Sequence, residues 1–566
     1  MQEKLGIDGE QQALLEAQTY ETDAGTFENN TLAITPEIAM ESGKNPKKEK
    51  NKSSGHEILS LAIPALAGLA IDPLMTLADT AFVGRSATNS DGLAAIGSAS
   101  AVVSFSFYIF NFLTTATTPL VASRRASGDE RGALALGGQA LTFALLLGSA
   151  LCVLLFAIAH PLLKYVMGTG DAGPEANAYA IQFLLIRAMA APAVLATSAA
   201  TGILRGYLDT KTPVYILVVA NIINFAIDVW LILGVGMGPT GAAIATTTAE
   251  WICAVCFLGI LAGKLPSADG DLGSNQKSRK NEVKDEEKQG IQVNNATSTL
   301  IVVPSLSVPT WKEVRPLVIA SSSVFLRTIV LQIALSGAAA MAARNTSFVN
   351  SDDGQNVIIG GEVKDFPATA AALASASLAA HQIALQLWIL CSFVCDALAA
   401  ASQALVADAL GRNDASDVRS HSRTVFAYAF ALGLLLSACL EVGKISGFLL
   451  HFFTDDAPTQ RELSKLLDII ILSQPLNALV FAADGVLQGA AEFTYQAKSM
   501  ALSVAITFLS FIFLSKLESG LGNDTLVNVW YSLILLQVMR GLTSLYKIVE
   551  QDGPIALFKN LTLNSR

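Results

Sequence analysis

The chain has 566 residues, of which 52% are hydrophobic and 15% are charged, and its mean hydropathy is +0.49. Soluble domains carry about 25% charged residues, so this composition excludes an ordinary soluble domain and indicates a polytopic α-helical membrane protein. The net charge of −10 is concentrated in residues 1–41, which hold nine carboxylates against Lys4. We expect this region to be disordered. It lacks the apolar h-region of a signal peptide, and its acidity argues against a transit peptide.

Apolar runs of about 20 residues predict twelve spans in two groups of six. The first six lie near 57–84, 93–121, 133–159, 177–204, 213–235 and 240–263, and the second six lie near 314–343, 370–405, 420–442, 463–487, 494–515 and 525–548. The predicted regions are an acidic cytoplasmic tail (1–55), an N-terminal lobe (56–265), a charged linker (266–312), a C-terminal lobe (313–550) and a C-terminal tail (551–566).

Loops that are rich in Lys and Arg alternate along the chain with loops that contain few of these residues. Five lysines precede the first span, three arginines follow the second span, and residues 277–288 of the linker hold five basic residues. The positive-inside rule therefore predicts that both termini and the linker face the cytosol. The pattern fits the plasma membrane and an organelle membrane equally.

The two halves repeat each other. PAVLATSAATGILRGYLD (192–209) aligns with PLNALVFAADGVLQGAAE (475–492) at an offset of 283, and PLVASRRASGD (119–129) aligns with ALVADALGRND (404–414) at an offset of 285. Six spans per half give both halves the same orientation. This predicts parallel repeats, with a pathway between them, and favours alternating access over a channel.

Polar groups interrupt the fifth and sixth spans. NIINFAIDVWLI (221–232) places Asn224 and Asp228 on one helical face, and GPTGAAIATTTAEW places Thr246 and Glu250 on one face. An aspartate at the bilayer centre costs roughly 2.5–3.5 kcal/mol on insertion scales. We therefore interpret Asp228 as functional rather than structural.

The first span supplies the facing carboxylates. Asp72 and Asp79 lie seven residues apart, hence on one face, and Pro64 and Pro73 make the helix bendable. Two close carboxylates could load and release a proton, or their oxygens could hold Na⁺. The expected cation-coupling site consists of Asp79, Asn224, Asp228 and Thr246, with Asp72 and Glu250 as possible additional members.

The eighth and tenth spans carry mostly neutral polar side chains, which we expect to line the substrate cavity. They are His381, Gln382, Gln386, Asp396, Gln403, Gln474, Asn477, Asp484 and Gln488. Asp396 and Asp484 are the alternative coupling residues. All six cysteines fall in apolar runs, and no metal site or cofactor is predicted.

Several motifs together resemble a known family. IPALAGLAIDPLMTLADTAFVG, RGYLDTKTP, NIINFAIDVWLI, GAAIATTTAEW and HQIALQLW…DALAAASQALVA are similar to sequences of the multidrug and toxic compound extrusion (MATE) transporters, especially the DinF-type branch, which includes plant organic-anion exporters. The resemblance covers about 55–550. It implies an all-α fold of twelve helices in two pseudo-symmetric six-helix bundles and cation-coupled antiport by a rocker-switch motion.

The resemblance also assigns residues. The family's coupling network matches Asp79, Asn224, Asp228 and Thr246, and its bending proline matches Pro64. The expected function is H⁺- or Na⁺-coupled export of a small organic solute, such as citrate, a phenolic acid or a drug-like compound. The expected partners are the solute and the lipid bilayer, without nucleic acid, and the protein is expected to be a monomer.

Two alternatives remain open. A lipid-linked oligosaccharide flippase of the same superfamily would need a cationic cavity, for which Arg187 and Arg327 are the deeply placed arginines. An intramembrane enzyme would need a catalytic motif, and the sequence contains no HExxH, aspartate-rich diphosphate motif or P-loop. We therefore expect no enzymatic activity.

Overall fold

A computed structural model describes residues 54–69, 71, 99–100, 102–166, 174–263, 311–344, 357–359, 362–364, 366–521, 525–551 and 553–557. Nearly all of the predicted acidic tail and of the predicted linker lies outside these residues. So do Asp72, Pro73 and Asp79.

The first half is helical throughout its described residues. Its elements are α1 (54–69), α2 (102–108), a 3₁₀ turn (Ile109–Asn111), α3 (Phe112–Ala126), α4 (Glu130–Val166), α5 (Pro174–Ala188), α6 (Ala191–Gly206), α7 (Lys211–Asp228), a π-helix (Val229–Gly234) and α8 (Gly238–Gly263). The predicted fourth span is bent by 43° between α5 and α6, where Pro192 begins the second helix.

The second half is also mainly helical. Its elements are α9 (Trp311–Arg344), β1 (Val357–Ile359), β2 (Glu362–Lys364), α10 (Phe366–Gly411), α11 (Ala415–Ile445), α12 (Phe448–Phe453), α13 (Ala457–Gly489), α14 (Phe493–Leu521) and α15 (Thr525–Val549). The two strands form an antiparallel hairpin between the predicted seventh and eighth spans. This hairpin departs from the expected all-α fold.

Among the described residues, eight helices are long and apolar enough to cross a membrane, or nine if the bent pair α5–α6 is one span. Large apolar side chains remain exposed along these helices, for example Leu154, Ile222 and Leu472. A soluble protein rarely exposes so much apolar surface. The helices therefore present these side chains to lipid, as expected for a polytopic membrane protein.

The sequence repeat recurs as a repeat of packing contacts. A Cβ atom built on Gly148 would lie 2.6 Å from Cα of Pro192, and one built on Gly433 would lie 2.5 Å from Cα of Pro475. These pairs are related by the offsets of 285 and 283. In each half, one helix thus needs a glycine at the point where a second helix crosses it beside a proline.

The turns repeat as well. Leu208 and Ala491, which are 283 residues apart, both adopt a left-handed conformation, with φ values of 61° and 57°. The amide that follows each turn residue donates to a carbonyl five residues earlier, at 2.9 Å in the first half and 3.0 Å in the second. Both halves therefore end the corresponding helix in the same way.

The two halves meet at the arginine-rich end of the helices, which we call the basic end. There Gly411 at the end of α10 approaches the carbonyl of Ser123 near the end of α3, so that a Cβ would lie 2.3 Å from that oxygen. The amide of Gln403 donates to the carbonyl of Thr115 at 2.6 Å. Ile58 of α1 packs in one apolar cluster with residues of α10, α11 and α13.

Residues 553–557, near the C-terminus, pack against the second half at the basic end. Ile555 and Leu557 are buried in an apolar cluster that includes Val418 and Ile548, and Arg423 donates to the carbonyl of Leu557 at 2.6 Å. The beginning of the predicted tail, residues 553–557, is therefore packed against α11 and α15.

Candidate functional site

The polar face of α7 points into the first half. Asn224 and Asp228 lie one helical turn apart, and their side chains are only 2% and 1% exposed, whereas Ile222 and Phe225 of the same helix are exposed. Oδ1 of Asn224 has no hydrogen-bond partner within the described residues. The helix thus buries its carboxylate and amide and turns its apolar side chains outward, as expected for polar groups of a membrane-spanning helix.

The α-helix stops at Asp228. The next six residues, Val229–Gly234, form a π-helix, in which the amide of Val235 donates to the carbonyl of Trp230 at 3.0 Å. π-helical turns are rare in proteins as a whole, and those that occur are often found at functional sites. Here the irregular turn begins directly after the buried carboxylate.

Thr246 lies on α8, which packs along α7. Its hydroxyl is half-buried and donates to the carbonyl of Ala242 on its own helix at 2.9 Å. Of the four predicted coupling residues, the structure places Asn224, Asp228 and Thr246 on two adjacent helices of one half. Asp79 lies outside the described residues, so its convergence with them stays a prediction. Pro64, the predicted bending residue, is half-buried within α1.

Glu250, a possible additional coupling residue, is held by an arginine. Nη1 of Arg187 donates to Oε2 of Glu250 at 2.7 Å, and Nη2 donates to Oε1 at 2.8 Å. This bidentate pair joins α5 to α8, and both side chains are at most 25% exposed. Two parallel charge-assisted hydrogen bonds fix the carboxylate geometrically. The arrangement indicates a structural contact between the fourth and sixth predicted spans.

The second half contains a centre with two arginines around one carboxylate, which we call the arginine centre: Arg327, Asp484 and Arg540. Nη2 of both arginines contacts Oδ2 of Asp484, at 2.6 Å in the case of Arg540. The three side chains come from α9, α13 and α15 and are 16%, 8% and 4% exposed, respectively.

Neutral amides complete this network. Gln537 accepts from Arg540 at 2.7 Å and donates to Asn477 at 3.0 Å, and Asn477 in turn donates to Ser392 at 3.3 Å. Gln496 donates to the carbonyl of Asp484 at 3.1 Å. Asn477 and Asp484, both predicted cavity residues, therefore belong to one connected network.

The other predicted cavity residues are dispersed. His381 is fully buried and packs edge-on against Trp530, with ring centroids 5.9 Å apart, and Gln474 is also fully buried. Gln382 and Gln386 are exposed on the surface of α10, and Gln488 is half-buried. Gln403 joins the two halves through Thr115. Asp396 is half-buried on α10.

Sequence reasoning missed Arg540 and Gln537. Arg187 and Arg327 are the deeply placed arginines in the sequence interpretation, yet Arg540 is the most buried member of the arginine centre. The sequence does indicate Arg540, because LLQVMRGLTSL places this arginine within an apolar run, one helical turn after Gln537. Among the described residues, no group of three or more His, Cys, Asp or Glu side chains is arranged to hold a metal ion.

Comparison with known proteins gives consistent results. The model of the MatE family matches residues 64–230 and 368–522, one match in each half. The chain is 28% identical to Protein DETOXIFICATION 44, chloroplastic, of Arabidopsis thaliana, covering 88% of this chain and 83% of that protein. It is 26% identical to DNA damage-inducible protein F of Escherichia coli, covering 87% and 91%.

A solved structure shares the fold. The crystal structure of MATE in complex with MaD3S superimposes with a TM-score of 0.68 at 18% identity, covering 90% of this chain and 97% of that chain. At this identity the similarity establishes a MATE-like fold alone. The family match, which covers more than half of the chain in two segments, establishes the class of protein. The chain is therefore a member of the MATE family of membrane transporters and not an enzyme.

Proposed function

We propose that this protein is a secondary antiporter that exports a small organic solute in exchange for H⁺ or Na⁺. The observation that supports this proposal is the burial of Asp228 and Asn224, one turn apart, directly before a π-helical turn. A carboxylate at membrane depth is retained where it serves function. It binds a proton, or a sodium ion together with the neighbouring amide and hydroxyl oxygens, in one conformation and releases it in the other.

The proposed architecture has twelve spans in two six-helix lobes that rock about the cleft between them. Its support is the repeated packing of Gly148 on Pro192 and of Gly433 on Pro475. At the basic end, which the positive-inside rule assigns to the cytosol, the halves are in close contact where Gly411 approaches Ser123. The described conformation is then closed toward the cytosol, and the linker 266–312 acts as a tether.

A flippase is the second candidate, and the structure weakens it. Arg187 is neutralised by Glu250, and Arg327 shares Asp484 with Arg540. An excess of one positive charge in the arginine centre suits a small anion better than a lipid-linked diphosphate.

Flux measurements in proteoliposomes test the proposal. The full-length protein should drive solute uptake when a proton or sodium gradient is imposed, and collapse of that gradient should abolish uptake. Uptake of the solute at the same rate with and without either gradient would exclude coupled antiport. Flip of a fluorescent lipid without solute flux would instead favour the flippase.

A further inference from the structure

The arginine centre is absent from the corresponding place in the first half. At the offset of 283, Asp484 corresponds to Thr201 and Asn477 corresponds to Val194. The glycine that follows packs in the same way in both halves: Gly202 contacts Thr114 and Gly485 contacts Ala399, which are 285 residues apart. The shared fold therefore does not require a charge at this position.

The charges of the centre do not balance. Two arginines share one carboxylate oxygen of Asp484. The three side chains therefore carry two positive charges and one negative charge, an excess of one positive charge. Burying an uncompensated positive charge is unfavourable, so the centre favours an anion.

Arg327 has donors left for such an anion. A guanidinium carries five N–H donors, and within the described residues the side chain of Arg327 makes a single hydrogen bond, to Asp484. Its side chain is 16% exposed, whereas that of Arg540 is 4% exposed. The unused donors of Arg327 therefore lie at the more accessible edge of the centre.

The centre borders the first half. Phe325, two residues before Arg327 on α9, packs edge-on against Phe112 of α3, with ring centroids 5.9 Å apart. Transporters of repeated architecture bind their solutes at the interface between repeats. A guanidinium at that interface recognises planar oxyanions in a bidentate manner.

We propose that Arg327, supported by Arg540, binds an oxyanion group of the transported solute, and that Asp484 is the resident counter-ion with which this group competes. The proposal rests on the proposed function and names its substrate class, small solutes that carry a carboxylate or phosphate. A neutral or cationic solute would gain nothing from the unused guanidinium donors.

Equilibrium binding without an ion gradient tests this proposal separately from coupling. The full-length protein is placed in nanodiscs of neutral phosphatidylcholine, and the affinities for citrate, inorganic phosphate and the cation tetraphenylphosphonium are measured. Arg327→Gln should weaken binding of citrate or phosphate at least tenfold and change that of tetraphenylphosphonium less than twofold. The matched control is Arg412→Gln, since Arg412 also pairs with carboxylates, Asp408 and Asp417, but lies 42% exposed at the basic end.

Two further variants separate a binding site from a structural ion pair. Arg327→Lys keeps the charge, and with it the pairing to Asp484, but loses the planar fork, so citrate affinity should fall several-fold in a stable protein. Asp484→Asn removes the competing counter-ion, so its citrate affinity should equal or exceed that of the wild type, and citrate should raise its melting temperature. If the centre is only structural, citrate will not stabilise Asp484→Asn.

Three results would overturn the proposal. One is binding of neither citrate nor phosphate by the wild type, and another is unchanged binding of both in Arg327→Gln. The third is binding through Arg327 only of phosphatidylglycerol added to the nanodisc, which would assign the centre to a lipid headgroup. Because no gradient is applied, loss of ion coupling alone would leave these measurements unaffected.

Discussion

Nε2 of His421 lies 3.1 Å from Oε2 of Glu57, and this contact joins α1 of the first half to α11 of the second half. Nδ1 of the same ring lies 2.8 Å from the carbonyl of Asp417. Both ring nitrogens thus face acceptors. Next to them, the hydroxyls of Ser54 and Ser420 lie 3.3 Å apart. The contact lies at the basic end, where the halves are closed on each other.

Breaking this contact should open the basic end. His421→Ala removes a net hydrogen bond of about 1 kcal/mol, so the closed population should fall about fivefold relative to the open one. Labelling of a cysteine placed at Ser123, in a background without the six native cysteines, by an impermeant maleimide from the predicted cytosolic side should rise accordingly. The control is His451→Ala, because among the residues that the structure describes the ring of His451 has a single hydrogen-bond partner, the carbonyl of Gly447 on its own turn. Equal labelling of the two variants would show that the contact does not hold the closed state.

The glycine at the helix crossing of the second half should not tolerate a side chain. A Cβ on Gly433 would lie 2.5 Å from Cα of Pro475, so Gly433→Ala forces the helices apart and should destabilise the protein by about 1–3 kcal/mol. Gly259→Ala is the control, since no atom of the described part of the chain lies within 4 Å of its Cβ position. Thermal unfolding in detergent should show a lower melting temperature only for Gly433→Ala. Equal melting temperatures would mean that the crossing relaxes without cost.

Glu250 should contribute to stability and not to coupling. Replacing Arg187 or Glu250 by Gln leaves one half-buried charge unpaired, and we expect a loss of about 1–3 kcal/mol, below the 3–5 kcal/mol of a fully buried pair. The double replacement should restore part of this stability. At matched protein levels, Glu250→Gln should retain gradient-driven transport. Loss of coupling in a stable Glu250→Gln protein would show instead that Glu250 is part of the coupling site.

The sequence predicted much of this arrangement, and the reasons differ between elements. The apolar runs predicted the helices, because a span must satisfy its backbone internally and avoid charge. The repeat predicted two halves of the same orientation, and in the structure its paired glycines, Gly202 and Gly485, both lie at close helix contacts that leave no room for a side chain. Asn224 and Asp228 were readable as one buried face from their spacing of four.

The ion-pair partners of the charged residues could not be predicted from the sequence. Spacing along one helix does not say which helix lies opposite, so the pairing of Glu250 with Arg187 and of Asp484 with Arg327 and Arg540 emerges only from the packing. The π-helical turn after Asp228 has no residue signature in VWLILG, which is an ordinary apolar run. Likewise, the docking of Ile555 and Leu557 depends on a surface formed by two distant helices.

Gradient-driven solute transport by Asp228→Asn is the most direct test of the coupling site. The replacement keeps shape and hydrogen bonding but removes the titratable charge. Transport driven by a proton or sodium gradient should therefore fall at least tenfold, while exchange of solute without a gradient persists, and Asp79→Asn should behave alike. Asn221→Ala, one turn from Asn224 with its amide bonded to the carbonyl of Leu217, should transport as the wild type does. Wild-type rates under a gradient for both Asp228→Asn and Asp79→Asn would contradict the account and shift the coupling role to Asp396 and Asp484.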